Sequence, residues 1–192
     1  MDAVIFAALG GLVVCVVMFL RHRLASFRSQ RSEDYANEPP RFDIQKHLNG
    51  AMLCEGAIFG PLGRVVSRFV ADFDITWDGY EGTMTEHFRY SDGSVQDREW
   101  QLIVGSDGFL TARADDVIGD GSGRQVGSAM WLNYRLRLPP SSGGHVLNVV
   151  DWMYLLPNGT LVNRSQFRTF GITVAELVAT IRPVTDSTKV AE

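Results

Sequence analysis

Cysteine is scarce, with two residues in 192, so no disulfide framework can hold the fold and a hydrophobic core must do so. The main body also lacks any excess of positive charge. From Ser32 onward it carries 14 basic and 21 acidic residues, a balance of −7, whereas the stretch up to Arg31 carries four Arg and one Asp. Such a body excludes nucleic acid as the main partner, because phosphate binding needs clustered positive charge. The common catalytic signatures are missing as well: there is no Gly-x-Ser-x-Gly, no His-Glu-x-x-His and no phosphate loop. None of the four histidines (His22, His47, His87, His145) has a partner at metal-ligand spacing. No internal repeat and no low-complexity tract appears, the length allows one domain of ordinary size, and no cofactor is expected.

One uncharged run stands out, Ala3 to Leu20, eighteen residues that as a helix cover roughly 27 Å, close to the hydrocarbon thickness of a bilayer. Arg21, His22, Arg23, Arg28 and Arg31 follow it. It lacks a positive n-region and a small-x-small cleavage site, and Leu12-Val13-Val14-Cys15 puts Val where a lipoprotein signal needs a small residue. The segment therefore reads as a retained transmembrane anchor (1–20), followed by a basic and polar linker (21–41) ending in Pro-Pro. The Arg-rich flank alone places that side in the cytoplasm.

The body (42–183) reads as β structure, with 184–192 as a disordered tail. Phe42 to Gly50 forms one short helix, Asp43 capping its start and Gly50 taking a left-handed conformation at its end. Turn signals then recur from Gly60-Pro61 to Pro157-Asn158-Gly159, separating runs of about 6 to 13 residues rich in Val, Thr, Phe, Tyr and Trp. In 68–78, Phe69, Ala71, Phe73, Ile75 and Trp77 share one face; in 129–138, Met130, Leu132, Tyr134, Leu136 and Leu138 do. The run 146–156 is apolar on both faces and must be covered on both sides. Eight to ten such strands, with no crossover helix, predict an all-β antiparallel meander closed into a barrel, since closure removes the edges.

Within that pattern the informative residues are polar groups on apolar strand faces. Glu86 is in phase with Met84, Phe88 and Tyr90; Arg98 with Trp100, Leu102 and Val104; Asp151 with Val149 and Met153; Asn163 with Leu161 and Phe167. Charge inside a barrel is costly unless it is paired or meets a polar ligand. Two readings follow, a structural ion-pair network or a head-group site formed by Glu86, Arg98, Trp100, Tyr134, Asp151 and Asn163. An odd-length loop around Asp92-Gly93 is predicted, placing Phe88 opposite Arg98 and Glu86 opposite Trp100, with Glu86 and Arg98 diagonal neighbours. The stretch Asp116 to Gly121 has some positions of a Ca²⁺ loop but lacks the carboxylates at positions three and twelve, so it reads as a glycine-rich turn. Cys54 reads as a small core residue.

Together, Arg68-Phe69, Trp77-Asp78-Gly79, Glu86-x-Phe88-x-Tyr90-x-Asp92-Gly93, Arg98-x-Trp100, Asp115-Asp116-Val117, Asp151-Trp152-Met153, Asn163-Arg164 and Phe170-Gly171 resemble the bacterial "domain of unknown function 3833" family over roughly 42–183. The resemblance implies a small lipocalin-like barrel of the bacterial envelope, often exported as a lipoprotein, and gene neighbourhoods that modify membrane fatty acids. It implies the periplasmic side for the barrel, the side favoured here, and defines no catalytic residues. The expected function is a membrane-anchored barrel binding a small amphiphile such as a fatty acid or lipid-derived molecule. The alternatives are an interaction module with a filled core and a lipid-modifying enzyme with Glu86 or Asp151 as acid/base. For the anchor, intact-mass measurement of the membrane-extracted chain is expected to retain residues 1–20; a mature N-terminus after residue 15, or a diacylated Cys15, contradicts it.

Overall fold

In this computed structural model, which describes residues 2–24 and 26–184, a single helix precedes one β-barrel. Helix α1 (Asp2–Leu24) is apolar all round from Ala3 to Leu20, none of its membrane-length window is covered by the rest of the chain, and its length suffices to cross a bilayer. Ten antiparallel strands follow a four-residue helix, α2 (Ile44–His47). They are β1 (Gly50–Phe59), β2 (Val65–Asp78), β3 (Glu81–Tyr90), β4 (Val95–Val104), β5 (Phe109–Arg113), β6 (Gly121–Val126), β7 (Ala129–Arg137), β8 (Val146–Leu155), β9 (Leu161–Thr169) and β10 (Ile172–Pro183). Each pairs with its neighbour in sequence, and β1 closes the ring against β10 from Met52↔Pro183 to Phe59↔Glu176. The expected closed meander and its short leading helix are both present. The expected tail lies, beyond Val184, outside the described residues.

The alternation read from the sequence is the inside–outside pattern of the wall. Phe69, Ala71, Phe73 and Ile75 are buried, while Asp72 and Asp74 are exposed and Asp72 pairs with Arg89 of β3 at 2.5 Å. Alternate hairpins fall at alternate ends. At one end α2 plugs the barrel. Asp43 caps it through Gln45, Ile44 N–H donates to Gln125 Oε1 at 2.8 Å, and Trp77 Nε1 donates to the Leu48 carbonyl at 2.8 Å. Ile44 and Leu48 are almost wholly buried beneath it. Gly50 carries φ +70°, the left-handed conformation that lets the chain turn from this plug into β1.

The double-sided apolarity of β8 has a specific cause. Leu147, Val149, Met153 and Leu155 point inward, while Trp152 and Tyr154 point outward under the segment 26–41, which runs as a strap along the outside of the wall. Two 3₁₀ turns (Phe27–Ser29 and Ser32–Asp34) shape the strap. Phe27 is buried with Trp152 and Ala129, and Tyr35 packs edge-on against Tyr154 with ring centroids 5.5 Å apart. Gln30 Oε1 accepts from both Tyr35 and Tyr154 at 2.5 Å, and Trp131 Nε1 donates to Ser32 Oγ at 2.8 Å.

The β3–β4 hairpin has the expected odd loop, residues 91–93, and its buried faces match as expected. The pairing is displaced by two residues: Glu86 lies directly opposite Arg98, Met84 opposite Trp100 and Phe88 opposite Gln96. The turn chemistry selects this register. Asp92 Oδ1 accepts from Ser94 N–H and Oγ, Gly93 sits at φ +86°, and Tyr90 N–H donates to the Ser94 carbonyl, closing the loop one residue earlier than expected.

The strap crosses the β6–β7 turn so closely that a Cβ on Gly127, at φ +55°, would stand 1.7 Å from the Tyr35 carbonyl oxygen. Gly127→Ala is therefore expected to destabilise the fold by roughly 2 kcal/mol or more, since the left-handed penalty adds to displacement of the strap. Urea unfolding measures the cost, and trypsin cleavage at Arg28 and Arg31 should accelerate only in the variant.

Candidate functional site

The interior has two halves. Toward α2 it is solid, with Met52, Ile75, Leu161 and Ile181 almost fully buried against Ile44 and Leu48. Toward the other end the side chains stop short of one another and leave an open space, which together with the outer wall of β2–β4 from Asp72 to Glu99 amounts to about 1580 Å³. Its apolar walls include Ile58, Phe69, Phe88, Leu136, Phe167 and Leu177, and it extends over the β3–β4 rim to Asp97 and His87 on the outer face. Gly56 contributes to this shape: its missing side chain lets the Phe69 ring lie where a Cβ would come within 2.7 Å.

A polar cluster sits where the open half meets the solid half. Arg98 NH1 is 3.7 Å from Glu86 Oε2, and its Nε and NH2 each lie 2.8 Å from an oxygen of Asp116. Only 15% of the Arg98 side chain and 7% of the Glu86 side chain are exposed. The guanidinium also lies over the Trp100 ring, 4.5 Å from its centroid, and Tyr134 meets that ring edge-on at 5.2 Å. Across the barrel, Asp151 accepts hydrogen bonds from Asn163 Nδ2 and, at 2.9 Å, from Ser165 Oγ. Asn163 also donates to the Trp152 carbonyl at 3.2 Å.

Burial dominates the titration of these groups. It pushes the Glu86 carboxyl up to about 7, although Arg98 and a hydrogen bond from Trp100 work against it. It pushes Asp151 up to about 6 against the bonds from Asn163 and Ser165. Burial, reinforced by the charges of Glu86, Asp151 and Glu55, pushes the Cys54 thiol far up, which fits the small core residue read from the sequence. The Tyr134 hydroxyl is likewise pushed up by burial and by Asp151.

All six residues singled out from the sequence face the interior. Glu86, Arg98, Trp100 and Tyr134 form one contiguous group, and Asp151 with Asn163 forms a second. Sequence reasoning missed Asp116, the strongest partner of Arg98. It belongs to the β5–β6 connection, which the bridge Val117↔Leu136 folds inward over the barrel. Ser165 was also missed, although its phase with Asn163 and Phe167 was readable. In the glycine-rich turn Asp116 pairs with Arg98 and Asp120 with Arg113, each at 2.8 Å, and no group of three metal-ligating side chains occurs among the described residues.

A closed ten-stranded meander with a half-open interior is a small up-and-down β-barrel of the kind able to hold one ligand. The chain belongs to the family described as "Protein of unknown function (DUF3833)", which matches residues 22–183. No curated protein matches it. Among solved structures it is similar to Rv2717c from M. tuberculosis, with 16% identity, a TM-score of 0.54, and coverage of 78% of this chain and 100% of that one. It is also similar to an S-type phycobiliprotein lyase from Guillardia theta, with 10% identity, a TM-score of 0.55, and coverage of 82% and 99%. These likenesses establish the barrel fold.

Removing Arg98 leaves Glu86 and Asp116 without their cation, so Arg98→Ala is expected to cost about 3–5 kcal/mol in urea unfolding, while Arg98→Ala with Glu86→Gln recovers part of it. The pH dependence has a defined sign. Glu86 binds its proton more tightly folded than unfolded, so its contribution is fully present below its ordinary value of 4.5 and is lost as pH rises toward about 7. Thermal melts across that window should show wild-type stability falling relative to Glu86→Gln; parallel curves contradict the assignment.

Proposed function

We propose that this protein is a membrane-anchored barrel of the bacterial envelope that binds a small amphiphile, a lipid-derived molecule or fatty acid, with its apolar part in the open half and its head at the Glu86–Arg98–Asp116 and Asp151–Asn163 groups. The observation that carries this reading is the division of the interior. A barrel built as a solid interaction module has no reason to keep one half open, apolar-walled and floored by buried polar groups. α1 supports the anchor by its length and apolarity. Three carboxyl groups facing one guanidinium favour a head that donates hydrogen bonds, so a hydroxyl- or amine-bearing lipid fits the floor better than a free carboxylate. One observation favours a second reading, an enzyme acting on such a lipid with Glu86 as acid/base: Glu86 Oε2 is buried without a hydrogen-bond partner among the described residues, on a carboxyl poised near neutrality.

Leu177→Trp places bulk in the open half, away from the polar floor. With the full chain in vesicles, energy transfer from tryptophan to fluorescent long-chain alcohol, amine and acid probes is expected to saturate, tightest for the alcohol or amine. Leu177→Trp should weaken that saturable part at least about tenfold, corresponding to roughly 1.4 kcal/mol, and leave partition into the bilayer unchanged. Probe signals that never saturate, or that are equal in the two proteins, contradict the binding reading. Chemical alteration of a bound lipid that is abolished by Glu86→Gln establishes the enzymatic one.

A further inference from the structure

Large apolar side chains reach water at both ends of the barrel, with Tyr80 and Phe109 at the plugged end, but the four most exposed stand at the open end. The β1–β2 hairpin exposes Leu62 (84%), Val65 and Val66, and the β9–β10 hairpin exposes Phe170 (97%) and Ile172. Because β1 pairs with β10, these two tips stand side by side, and both overhang the pairing that ends at Phe59↔Glu176. Phe170 is the only non-glycine residue among those described with positive φ, at +48°. A bulky side chain held in the left-handed region, and almost wholly exposed, gains nothing inside the protein that offsets its strain.

Charge is arranged around the same tips. Arg64 lies in the first hairpin turn and Arg68 just below it on the outer wall. Arg28 of the strap approaches Arg168 of β9 closely enough for the two charges to repel. The opposite arc of the rim carries both signs, with Asp92 and Asp97 at the β3–β4 hairpin and Asp115 in the β5–β6 connection beside Arg113 and Arg137 at the ends of β5 and β7. The attachment of α1 falls on the basic and apolar arc. The helix ends at Leu24, and Phe27 is already buried against the wall, its ring 4.6 Å from the Arg164 guanidinium of β9. Three residues span at most about 11 Å, so the end of α1 lies close to the outer face of β8 and β9.

We infer that the barrel docks mouth-down on the lipid bilayer, inserting Leu62, Val66, Phe170 and Ile172 among the acyl chains with Arg64 and Arg68 at the head groups. This rests on the anchor reading above. Apolar tips flanked by guanidinium groups match the interfacial zone, which takes apolar side chains a few ångströms deep and holds basic ones at its anionic surface. The arc that carries Asp92, Asp97 and Asp115 tilts away from that surface. The cavity mouth, ringed by the same hairpins, then opens toward the membrane, and an amphiphile enters from the bilayer without crossing water.

The test uses the full chain in vesicles of phosphatidylcholine and phosphatidylglycerol with brominated acyl chains, which quench tryptophan on contact. Leu62→Trp and Phe170→Trp report on the mouth, and Tyr80→Trp reports on the opposite end. Emission is taken as the increment over the unsubstituted chain. The increments at 62 and 170 are expected to fall by about half or more, as for groups at interfacial depth, and the increment at 80 is expected to be unaffected. Vesicle-bound chain with unquenched tips, or with quenching at position 80, overturns the orientation while leaving the anchor intact. Tips shielded from bromine in a chain that runs as a dimer overturn it in favour of a second copy. A chain that alkaline carbonate strips from the vesicles overturns the anchor and the docking together.

Discussion

The pairing of β1 with β10 is the constraint on which the rest of the structure depends. An open sheet of ten strands would present two edges of unpaired backbone, and closure satisfies both at once. Closure also turns the alternation of each strand into a strict inside and outside, so every polar residue that falls in the inward phase must find a partner there. The interior cluster meets most of that obligation, leaving only Glu86 Oε2 of its buried carboxylate oxygens without a hydrogen bond among the described residues. Glu86 and Arg98 face each other across one rung, Asp116 is brought in by a folded connection, and Asp151 is satisfied by Asn163 and Ser165. Ten strands also enclose more width than side chains of this size can fill along the whole axis. The chain fills one half with its own plug, α2, and leaves the other half open.

Much of this was legible because period-two patterning and buried-face matching are local signals. Phe69 to Ile75 announced an inward face, and Glu86, Arg98, Asp151 and Asn163 announced themselves by breaking such faces. The loop parity at Asp92-Gly93 followed from the same logic. What remained out of reach depends on distant contacts or fine turn chemistry. The two-residue displacement of the hairpin was decided by Asp92 and Ser94 closing the turn early, a choice to which the buried faces are indifferent. Asp116 could not be paired with Arg98 from the sequence, because its connection has no periodicity to give it a direction. The apolar outer face of β8 correctly signalled a cover, but nothing in a polar stretch such as Arg28 to Pro40 marks it as that cover. Its adhesion rests on two aromatic residues, Phe27 and Tyr35, and on the side chain of Gln30.

The strap gives the architecture its mechanical sense. One continuous segment leaves α1, adheres to β8 and β9 through Phe27 and Tyr35, passes the β6–β7 turn at Gly127 and ends in the plug, where Phe42 N–H donates to the Gly127 carbonyl at 2.7 Å. A freely jointed tether would leave the barrel able to rotate relative to the helix that carries it. Here the tether is spent on the barrel's own surface almost from its first residue. The place where the chain leaves the wall toward α1 is therefore set by packing, chiefly by Phe27 on Trp152 and Ala129 and by Tyr35 on Tyr154. The segment that docks on the wall continues directly into the plug, so the closed end is the one fastened by the strap.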